Sequence, residues 1–508
     1  MIDASGAIES PSRLEVSTSE RSKLRRELSR FDTVFFLISA MVVVDTIGAI
    51  AIGGPQAFTW LLVLFLLFFV PSALATAEMG AALPDEGGPY VWVRLAFGRF
   101  AGALTSLLYW AGTPMWLGGS LAVVALAVWQ RFVGGLDGTS AYAFAAAFIG
   151  FATACSVVPL RWGKWVPSTG AIGQIVLLAF FSGTVVVYGV EHGVHGIAFG
   201  DLKPSYLVFI AVVPVLLYSF VGIELPSTAG EEMRDPKRDI PVAIGRAGVG
   251  QLLMYVVPIL AVLVVLPPGE VSSLHGLVDS MQTVFTVYGG SVAPDGTVTL
   301  SGAGAAIGVA TGLLFLWVLV ASGTTWIMGA SRAQAAACLD GAGPSTLGKI
   351  SARSGVPVRM ALVSGAVSLV TCVVDLWATK GDAQRYFSAA LTVAISLILL
   401  AYLLIFPAFV ALRLRSPSLH RPFRVPGGMF VAVLVSCLST AWSLLAVVCL
   451  LWPGFATPEP DAALPGGFEG DRAGFELLVL GPLLALFLLC CAFYWLGRTN
   501  VASRANAS

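Results

Sequence analysis

Two acidic residues, Asp45 and Glu224, lie inside long apolar stretches that are interrupted by glycine and proline. The first stretch, residues 41–55, reads MVVVDTIGAIAIGGP, and the second, residues 218–231, reads YSFVGIELPSTAGE. A charge at the centre of a membrane-spanning helix costs about 2.5–3.5 kcal/mol on insertion scales, so each acid is expected to face a cavity or a partner. These two carboxylates are the first candidates for chemistry.

Asp45 has no basic residue within its own stretch to neutralise it. One interpretation is a protonated acid that is hydrogen-bonded within the core. The other is a carboxylate that contacts the ammonium group of a substrate, or that titrates during a transport cycle. Glu224 leaves two similar alternatives, a structural hydrogen bond that clamps its helix to a neighbour or a proton carrier.

Both stretches also predict a broken helix. Gly48 and Pro55 interrupt the first, and Gly222 and Pro226 interrupt the second. A break leaves unpaired amides that can hold a carboxylate and unpaired carbonyls that can hold an ammonium group or cation. Paired interruptions at corresponding positions indicate an inverted-repeat transporter, whereas the simpler alternative is that glycine and proline only kink two ordinary helices.

The composition places these stretches in a membrane. Of 508 residues, 11% are charged and 57% are hydrophobic, and the mean hydropathy is +0.86. So few charges could not cover the surface of a soluble protein of this size. The formal net charge is zero, and no basic excess indicates a nucleic-acid partner. The lipid bilayer is therefore the expected surrounding of an all-α polytopic membrane protein.

Continuous apolar runs without alternation predict helices rather than a transmembrane barrel. A spanning helix needs about 20 mostly apolar residues. By that measure the chain contains twelve spans, at roughly 32–57, 59–80, 97–132, 141–159, 166–190, 205–231, 240–266, 302–338, 357–377, 386–412, 424–452 and 474–497.

The basic residues orient the spans. With both termini in the cytoplasm, 24 of the 29 basic residues lie on the inner side. The five that would face outward are Arg131, Lys203, Lys380, Arg385 and Arg472. This asymmetry follows the positive-inside rule, and it predicts a multi-pass protein of the plasma membrane with cytoplasmic N- and C-termini. The outer segment 453–473, rich in proline and glycine, is interpreted as a linker.

Five motifs, in order, resemble the amino acid–polyamine–organocation (APC) superfamily of permeases over nearly the whole chain. They are Leu83–Gly98 after the second span, Phe220–Pro241 at the sixth, Gly329–Arg332, Ser354–Val358 and Arg421–Pro426. The segment from Pro71 to Gly98 looks most like the bacterial glutamate/GABA exchanger and polyamine-uptake branches.

The resemblance implies the leucine-transporter-type fold, in which two inverted repeats of five helices are followed by two accessory helices. The first and sixth helices are discontinuous in this fold. The implied organisation is a disordered cytoplasmic arm (1–30), a first repeat (31–190), a second repeat (205–412), the accessory pair (424–497) and a cytoplasmic tail (498–508).

The resemblance also implies the site residues. The substrate carboxylate would bind amides within the first break, at Thr46, Ile47, Gly48 and Ala49, beside Asp45. The amino group would bind carbonyls of the second break, at Phe220, Val221, Gly222 and Ile223. Tyr218 falls where related exchangers have an aromatic gate, and Glu224 where they have a proton-sensing glutamate.

Two departures from the family pattern affect these expectations. The common first-helix pattern Gly-Ser-Gly is here Gly48-Ala49-Ile50, so the second glycine is missing. The fifth-helix lysine of some proton-coupled members has no counterpart, because Gly173 and Gln174 occupy that region. Proton coupling through such a lysine is therefore not expected.

Further side chains are expected to line the cavity because their helices do so in this fold: Trp110, Ser322, Thr325 and Trp326. Glu78, near the inner end of the second span, is expected to pair with an arginine rather than to contact substrate. The four histidines suit no metal site, and no nucleotide-binding or hydrolase motif is present. No metal, cofactor or enzymatic activity is predicted.

These features predict a secondary active amino acid transporter that works by alternating access, through proton symport or amino acid exchange. The first alternative keeps the fold and changes the substrate to a polyamine or another organic cation. The second, a channel or membrane enzyme, is disfavoured because neither a continuous polar stripe nor clustered metal ligands are visible. The sequence leaves the oligomeric state open.

Overall fold

The computed structural model describes residues 24, 26–85, 87–266, 271–294, 296–378 and 381–505, with the backbone alone at 207, 375 and 497–505. Most of the predicted arm and the end of the predicted tail lie outside these residues. The described chain is mostly helical, and its helices pack around a buried centre.

The first part of the chain forms helices α1 to α7. Their bounds are Arg30–Met41, Ile47–Ala51, Pro55–Ala82, Pro89–Phe97, Arg99–Phe132, Gly138–Ser156 and Leu160–His192.

The second part forms helices α8 to α15 and one antiparallel hairpin, whose strands are β1 (Gly290–Val292) and β2 (Val298–Leu300). The helix bounds are Tyr206–Tyr218, Pro236–Val265, Gly276–Val284, Gly302–Ala342, Val358–Ala378, Ala383–Arg415, Gly428–Leu451 and Arg472–Ala505.

Within the described residues, eleven helical stretches are long and apolar enough to cross a membrane, with α1 and α2 counted together as the stretch Arg30–Ala51. They start and end within a few residues of eleven of the predicted windows. The remaining window, 205–231, contains the shorter apolar helix α8, followed by a turn and the 3₁₀ segment Leu225–Glu232. The chain is therefore a polytopic helical membrane protein.

The helix that begins at Arg30 is interrupted at Val42 and Val43. Both valines are outside the helical region, with ψ angles of 90° and 85°, and a 3₁₀ turn, Val44–Thr46, leads into α2. Branching at Cβ lowers the helix propensity of valine. A run of three valines therefore favours the helix less than unbranched residues would at the place where it is interrupted. We call residues 39–49, which contain this interruption, the first break.

A second interruption, the second break, covers residues 219–224 between α8 and the 3₁₀ segment. Gly222 has a φ of +100°, which side-chain-bearing residues rarely adopt. Pro226 follows at the start of the 3₁₀ segment and lacks an amide hydrogen to continue a helix.

Buried ion pairs join the helices at the end of the bundle where α1 begins, which we call the N-terminal face. Glu232 and Arg332 pair at 3.0 Å, and their side chains are 1% and 2% exposed. Glu78 pairs with Arg413 and, at 3.1 Å, with Arg421. The prediction that Glu78 pairs with an arginine is confirmed.

The last residues before α1 are attached to the same face. The amide of Leu28 donates to the carbonyl of Glu232 (3.0 Å), and the amide of Arg234 donates to the carbonyl of Leu28 (3.1 Å). Arg30 pairs with Asp239 at 2.7 Å. These contacts connect the start of α1 to the segment that follows the second break.

The other end of the bundle, the distal face, carries α10, the hairpin and the segment 452–471. Gly48 of α2 lies directly under the loop before α10, because a Cβ built on Gly48 would be 2.9 Å from the carbonyl oxygen of Ser273. Glycine at this position therefore allows a close contact between the first helix and the distal loop.

Candidate functional site

Side chains from three other helices hold the carbonyl groups of the first break. These groups have lost their helical partners and are buried, so they need donors. The donors are Ser322 to the oxygen of Ser39 (2.8 Å), Trp326 to Ala40 (2.9 Å), Gln251 to Met41 (3.3 Å) and Gln174 to Val42 (2.9 Å).

Tyr255 of α9 completes this support. Its hydroxyl accepts a hydrogen bond from the amide of Val43 at 2.8 Å. Thr46 donates from its own hydroxyl to the carbonyl of Val43 at 2.7 Å. The first break is thus a fixed irregular segment rather than a frayed helix end.

Most of the residues that were predicted to line a cavity instead form hydrogen bonds at the first break. Ser322 and Trp326 donate to the first break, and the hydroxyl of Thr325 lies 3.0 Å from that of Ser39. The indole of Trp110 donates instead to Ser364 of α12 at 2.8 Å, so its polar atom is directed to neither break.

Asp45 is buried, with 4% of its surface exposed. One carboxylate oxygen, Oδ2, accepts hydrogen bonds from the indole of Trp116 (3.0 Å) and the hydroxyl of Ser120 (3.1 Å). Among the described residues, the other oxygen, Oδ1, has no hydrogen-bond partner, and no basic side chain pairs with Asp45. The site therefore contains a carboxylate that can accept a further donor.

The remaining predicted residues of the first break have different surroundings. Thr46 and Ile47 are fully buried, and Gly48 is covered by the distal loop. Ala49 lines a cavity on the distal side of α2. Of these four residues, Ala49 is the one that lines a cavity in the described structure.

The second break leaves several backbone acceptors free. Within the described chain, no donor reaches the carbonyl oxygens of Phe220, Val221 or Ile223. All three residues are buried, as is Tyr218 at 2% exposure. Such carbonyls can accept hydrogen bonds from an ammonium group.

Glu224 is 1% exposed and lies at the end of the second break. Its Oε2 accepts a hydrogen bond from the hydroxyl of Tyr402 in α13 at 2.7 Å, and the amide of Gly222 donates to the same hydroxyl at 3.3 Å. In the part of the chain that is described, Oε1 has no hydrogen-bond partner. The hydrogen bond from Tyr402 thus joins Glu224 to α13, and Oε1 of Glu224 can still accept a further donor.

Gln251 and Trp326 connect the two breaks. Gln251 donates to the carbonyls of both Met41 and Ser219. Trp326 donates to Ala40, and a Cβ on Gly222 would lie 3.1 Å from its ring. A displacement at either break must therefore change contacts at the other.

An aromatic cluster surrounds this connection. The ring of Trp326 lies 6.0 Å from that of Tyr109 and 6.4 Å, edge-on, from that of Trp116. Trp116 thus contacts Asp45 with its nitrogen and Trp326 with its ring.

The most direct partners of the two acids were missed in the sequence. Trp116, Ser120 and Tyr402 carry no motif, and they are 71, 75 and 178 residues away from the acids that they contact. Nothing local in the chain signals such pairings. Over the residues described, no three or more His, Cys, Asp or Glu side chains are grouped to hold a metal ion.

The fold and the site define a polytopic membrane protein with a buried polar centre where two helices are interrupted. The profile of the amino acid permease family matches residues 28–462, and the chain belongs to this family. The resemblance to the APC superfamily is thereby confirmed, and the protein is a membrane transporter.

Curated relatives are similar to the chain over most of its length. The probable agmatine/putrescine antiporter AguD of Lactococcus lactis is 28% identical over 91% of this chain and 95% of its own length. An uncharacterized transporter of Legionella pneumophila is 26% identical over 89% and 94%. One from Mycobacterium tuberculosis is 28% identical over 68% and 73%.

Proposed function

We propose that the protein is a secondary active transporter of a small organic cation with ammonium groups, such as a diamine. The observation that carries this proposal is the buried carboxylate of Asp45, whose Oδ1 has no partner in the described chain. A carboxylate that is removed from water without a counter-charge is costly, so a substrate ammonium group would complete the site.

Two further observations support a cationic substrate. The free carbonyls of the second break add acceptors without adding charge, and Glu224 has a second available carboxylate oxygen. The relative from Lactococcus lactis is named for agmatine and putrescine, which are cationic amines. We infer that the two carboxylates and the carbonyls together bind a substrate with more than one positive group.

The second candidate is an amino acid, which the family description favours. Its amino group would bind the carbonyls of Phe220, Val221 and Ile223. Its carboxylate would bind amides of the first break, near Thr46 to Ala49. The distal loop over Gly48 makes this carboxylate site smaller than the family pattern implies.

For the mechanism we propose alternating access in a twelve-span fold. The two interrupted segments would be the first and sixth spans of two five-helix repeats, over 31–190 and 205–412, with the accessory pair at 424–497. The N-terminal face would be cytoplasmic, as would the arm (1–30) and the tail (498–508). Glu224 would bind a proton or respond to substrate, with Tyr218 as the adjacent aromatic gate.

The test is counterflow in proteoliposomes that are preloaded with single diamines or amino acids, with and without a pH gradient. We expect labelled putrescine to exchange against internal diamine without a gradient, which would indicate antiport. Uptake that needs an inward proton gradient would indicate symport.

Asp45→Asn is the matched variant, because it keeps the size of the side chain and removes the charge. We expect it to reduce diamine exchange at least tenfold. Asp201→Asn, in an exposed turn, serves as the control and should exchange normally. Exchange of neutral amino acids alone, unaffected by Asp45→Asn, would contradict the cationic substrate.

A further inference from the structure

Gln251 of α9 contacts both breaks with one side-chain amide. It is fully buried, and its nitrogen Nε2 donates to the carbonyl of Met41 at 3.3 Å and to the carbonyl of Ser219. We propose that Gln251 is a positioning residue that makes the two breaks move as a unit, so that a group bound at one break arranges the other. The coupling itself applies to any substrate, whereas its consequence for substrates with two positive groups rests on the proposed function.

The orientation of this amide is fixed by its partners. Both partners are carbonyl oxygens, which accept and cannot donate, so the NH2 group rather than Oε1 must face them. Oε1 has no hydrogen-bond partner in the described chain, so these two bonds are the compensation for burying the amide. The two breaks therefore cannot move apart without the loss of a buried hydrogen bond.

The same helix supports the first break one turn further along. Tyr255 follows Gln251 by four residues, so the two side chains share a face of α9. The hydroxyl of Tyr255 accepts a hydrogen bond from the amide of Val43 at 2.8 Å. Helix α9 thus contacts the first break at two successive turns, and Gln251 extends this contact to the second break.

Trp326 also meets both breaks, but in a different way. Its indole donates to the carbonyl of Ala40, whereas at Gly222 only the packing of its ring is close. Packing of apolar surface is non-directional and tolerates sliding better than a hydrogen bond does. We therefore assign most of the coupling to Gln251.

Gln174 of α7 provides a matched comparison. It is also fully buried, and its Nε2 donates to the carbonyl of Val42 (2.9 Å) and to the hydroxyl of Ser322 (3.0 Å). Its Oε1 likewise has no hydrogen-bond partner among the described residues. Gln174 thus supports the first break without a hydrogen bond to the second in the described structure. The two glutamines differ in what they reach rather than in burial or in the number of bonds.

The coupling has a consequence for a substrate with two ammonium groups. In the proposed site one group meets Asp45, and the other meets the carbonyls of the second break. A group that draws these carbonyls into place also moves Ser219, and Gln251 transmits the movement to Met41. Binding of one group then prearranges the site of the other, which is positive coupling between the two ends of the substrate.

Competition by putrescine and by butylamine against labelled putrescine exchange measures this coupling, since butylamine has a single ammonium group. Gln251→Met keeps the length of the side chain and removes both donors. We expect it to lower the preference for putrescine over butylamine by about fivefold or more, the lower end of the coupling usual between two sites. Gln174→Met should weaken both amines by a similar factor and retain the preference.

A second measurement needs no substrate. Tyr402→Phe removes the hydroxyl that accepts from the amide of Gly222, and in the described structure Tyr402 makes no hydrogen bond to the first break. We expect it to raise hydrogen exchange of the amides at 42–46 about threefold, a coupling typical of residues in one hydrogen-bond network. The rise should be much smaller in the Gln251→Met background and should persist in the Gln174→Met background.

The outcomes separate the two proposals. If neither amine competes, the cationic substrate is wrong, and the hydrogen-exchange comparison still decides whether the breaks are coupled. If Tyr402→Phe raises exchange at 42–46 equally with and without Gln251, Gln251 does not couple the breaks. The same conclusion follows if the amines compete and Gln251→Met retains the preference for putrescine as Gln174→Met does.

Discussion

The indole nitrogen of Trp116 donates a hydrogen bond of 3.0 Å to Oδ2 of Asp45, across 71 residues of sequence. The same ring contacts Trp326, which donates to the carbonyl of Ala40 at 2.9 Å. The carboxylate of Asp45 is therefore oriented by Trp116 of α5, whose ring also contacts Trp326, one of the donors to the first break. Its free oxygen is directed by this arrangement rather than by its own helix alone.

Removing the indole donor should weaken substrate binding. A hydrogen bond to a charged group contributes about 1.5–3 kcal/mol, so we expect Trp116→Phe to raise the KM for a diamine at least tenfold. Uptake kinetics in proteoliposomes would measure this. Trp129→Phe is the control, because Trp129 lies on the same helix and packs against Phe144 at 5.1 Å. An unchanged KM in Trp116→Phe would show that the orientation of Asp45 does not matter for binding.

Glu224→Gln should abolish the pH dependence of transport. The amide oxygen of glutamine can still accept the hydrogen bond from Tyr402, but the side chain no longer titrates. We expect the exchange rate to become flat across acidic and neutral pH. Glu191→Gln, exposed at the end of α7, should leave the profile unaltered. A normal profile in Glu224→Gln would exclude Glu224 as the proton site.

Gly222→Ala should destabilise the protein and disturb the second break. The φ of +100° is strained for alanine, and the new Cβ would lie 3.1 Å from the ring of Trp326. Strained backbone conformations cost about 1–3 kcal/mol, so we expect a lower midpoint of thermal unfolding in detergent. Gly245→Ala, in a helix with open space around it, should be neutral or stabilising. Equal midpoints for the two variants would argue against strain at Gly222.

Arg332→Met should destabilise the N-terminal face, because it leaves Glu232 buried without its partner. Breaking a buried pair in this way costs about 3–5 kcal/mol, whereas replacing both partners by apolar residues restores much of the loss. The double variant with Glu232→Leu should therefore unfold at a higher temperature than Arg332→Met alone. Arg131→Met, which breaks the more exposed pair with Asp279, should change the midpoint little. If the double variant is no more stable than the single one, the buried charge is not the cause.

The sequence predicted one contact of the fold without showing its geometry. Glu78 was expected to pair with an arginine, and the structure joins it to Arg413 and Arg421. Glu232 and Arg332 belong to two separate motifs that meet in one ion pair. By contrast, Ser322 and Thr325 were expected to face a cavity. Ser322 instead donates to the carbonyl of Ser39, and the hydroxyl of Thr325 lies 3.0 Å from the hydroxyl of Ser39.

The sequence by itself determined the membrane environment, the approximate bounds of the long helices and the positions of two unusual acids. It could do so because apolar length, charge and the effects of glycine and proline on a helix are local properties of the chain. Only the tertiary structure decided which oxygen of Asp45 is free, that Glu224 bonds to Tyr402, and that Gln251 bonds to both breaks. These contacts depend on side chains from distant helices that meet in the folded bundle, and no local pattern encodes which of them will meet.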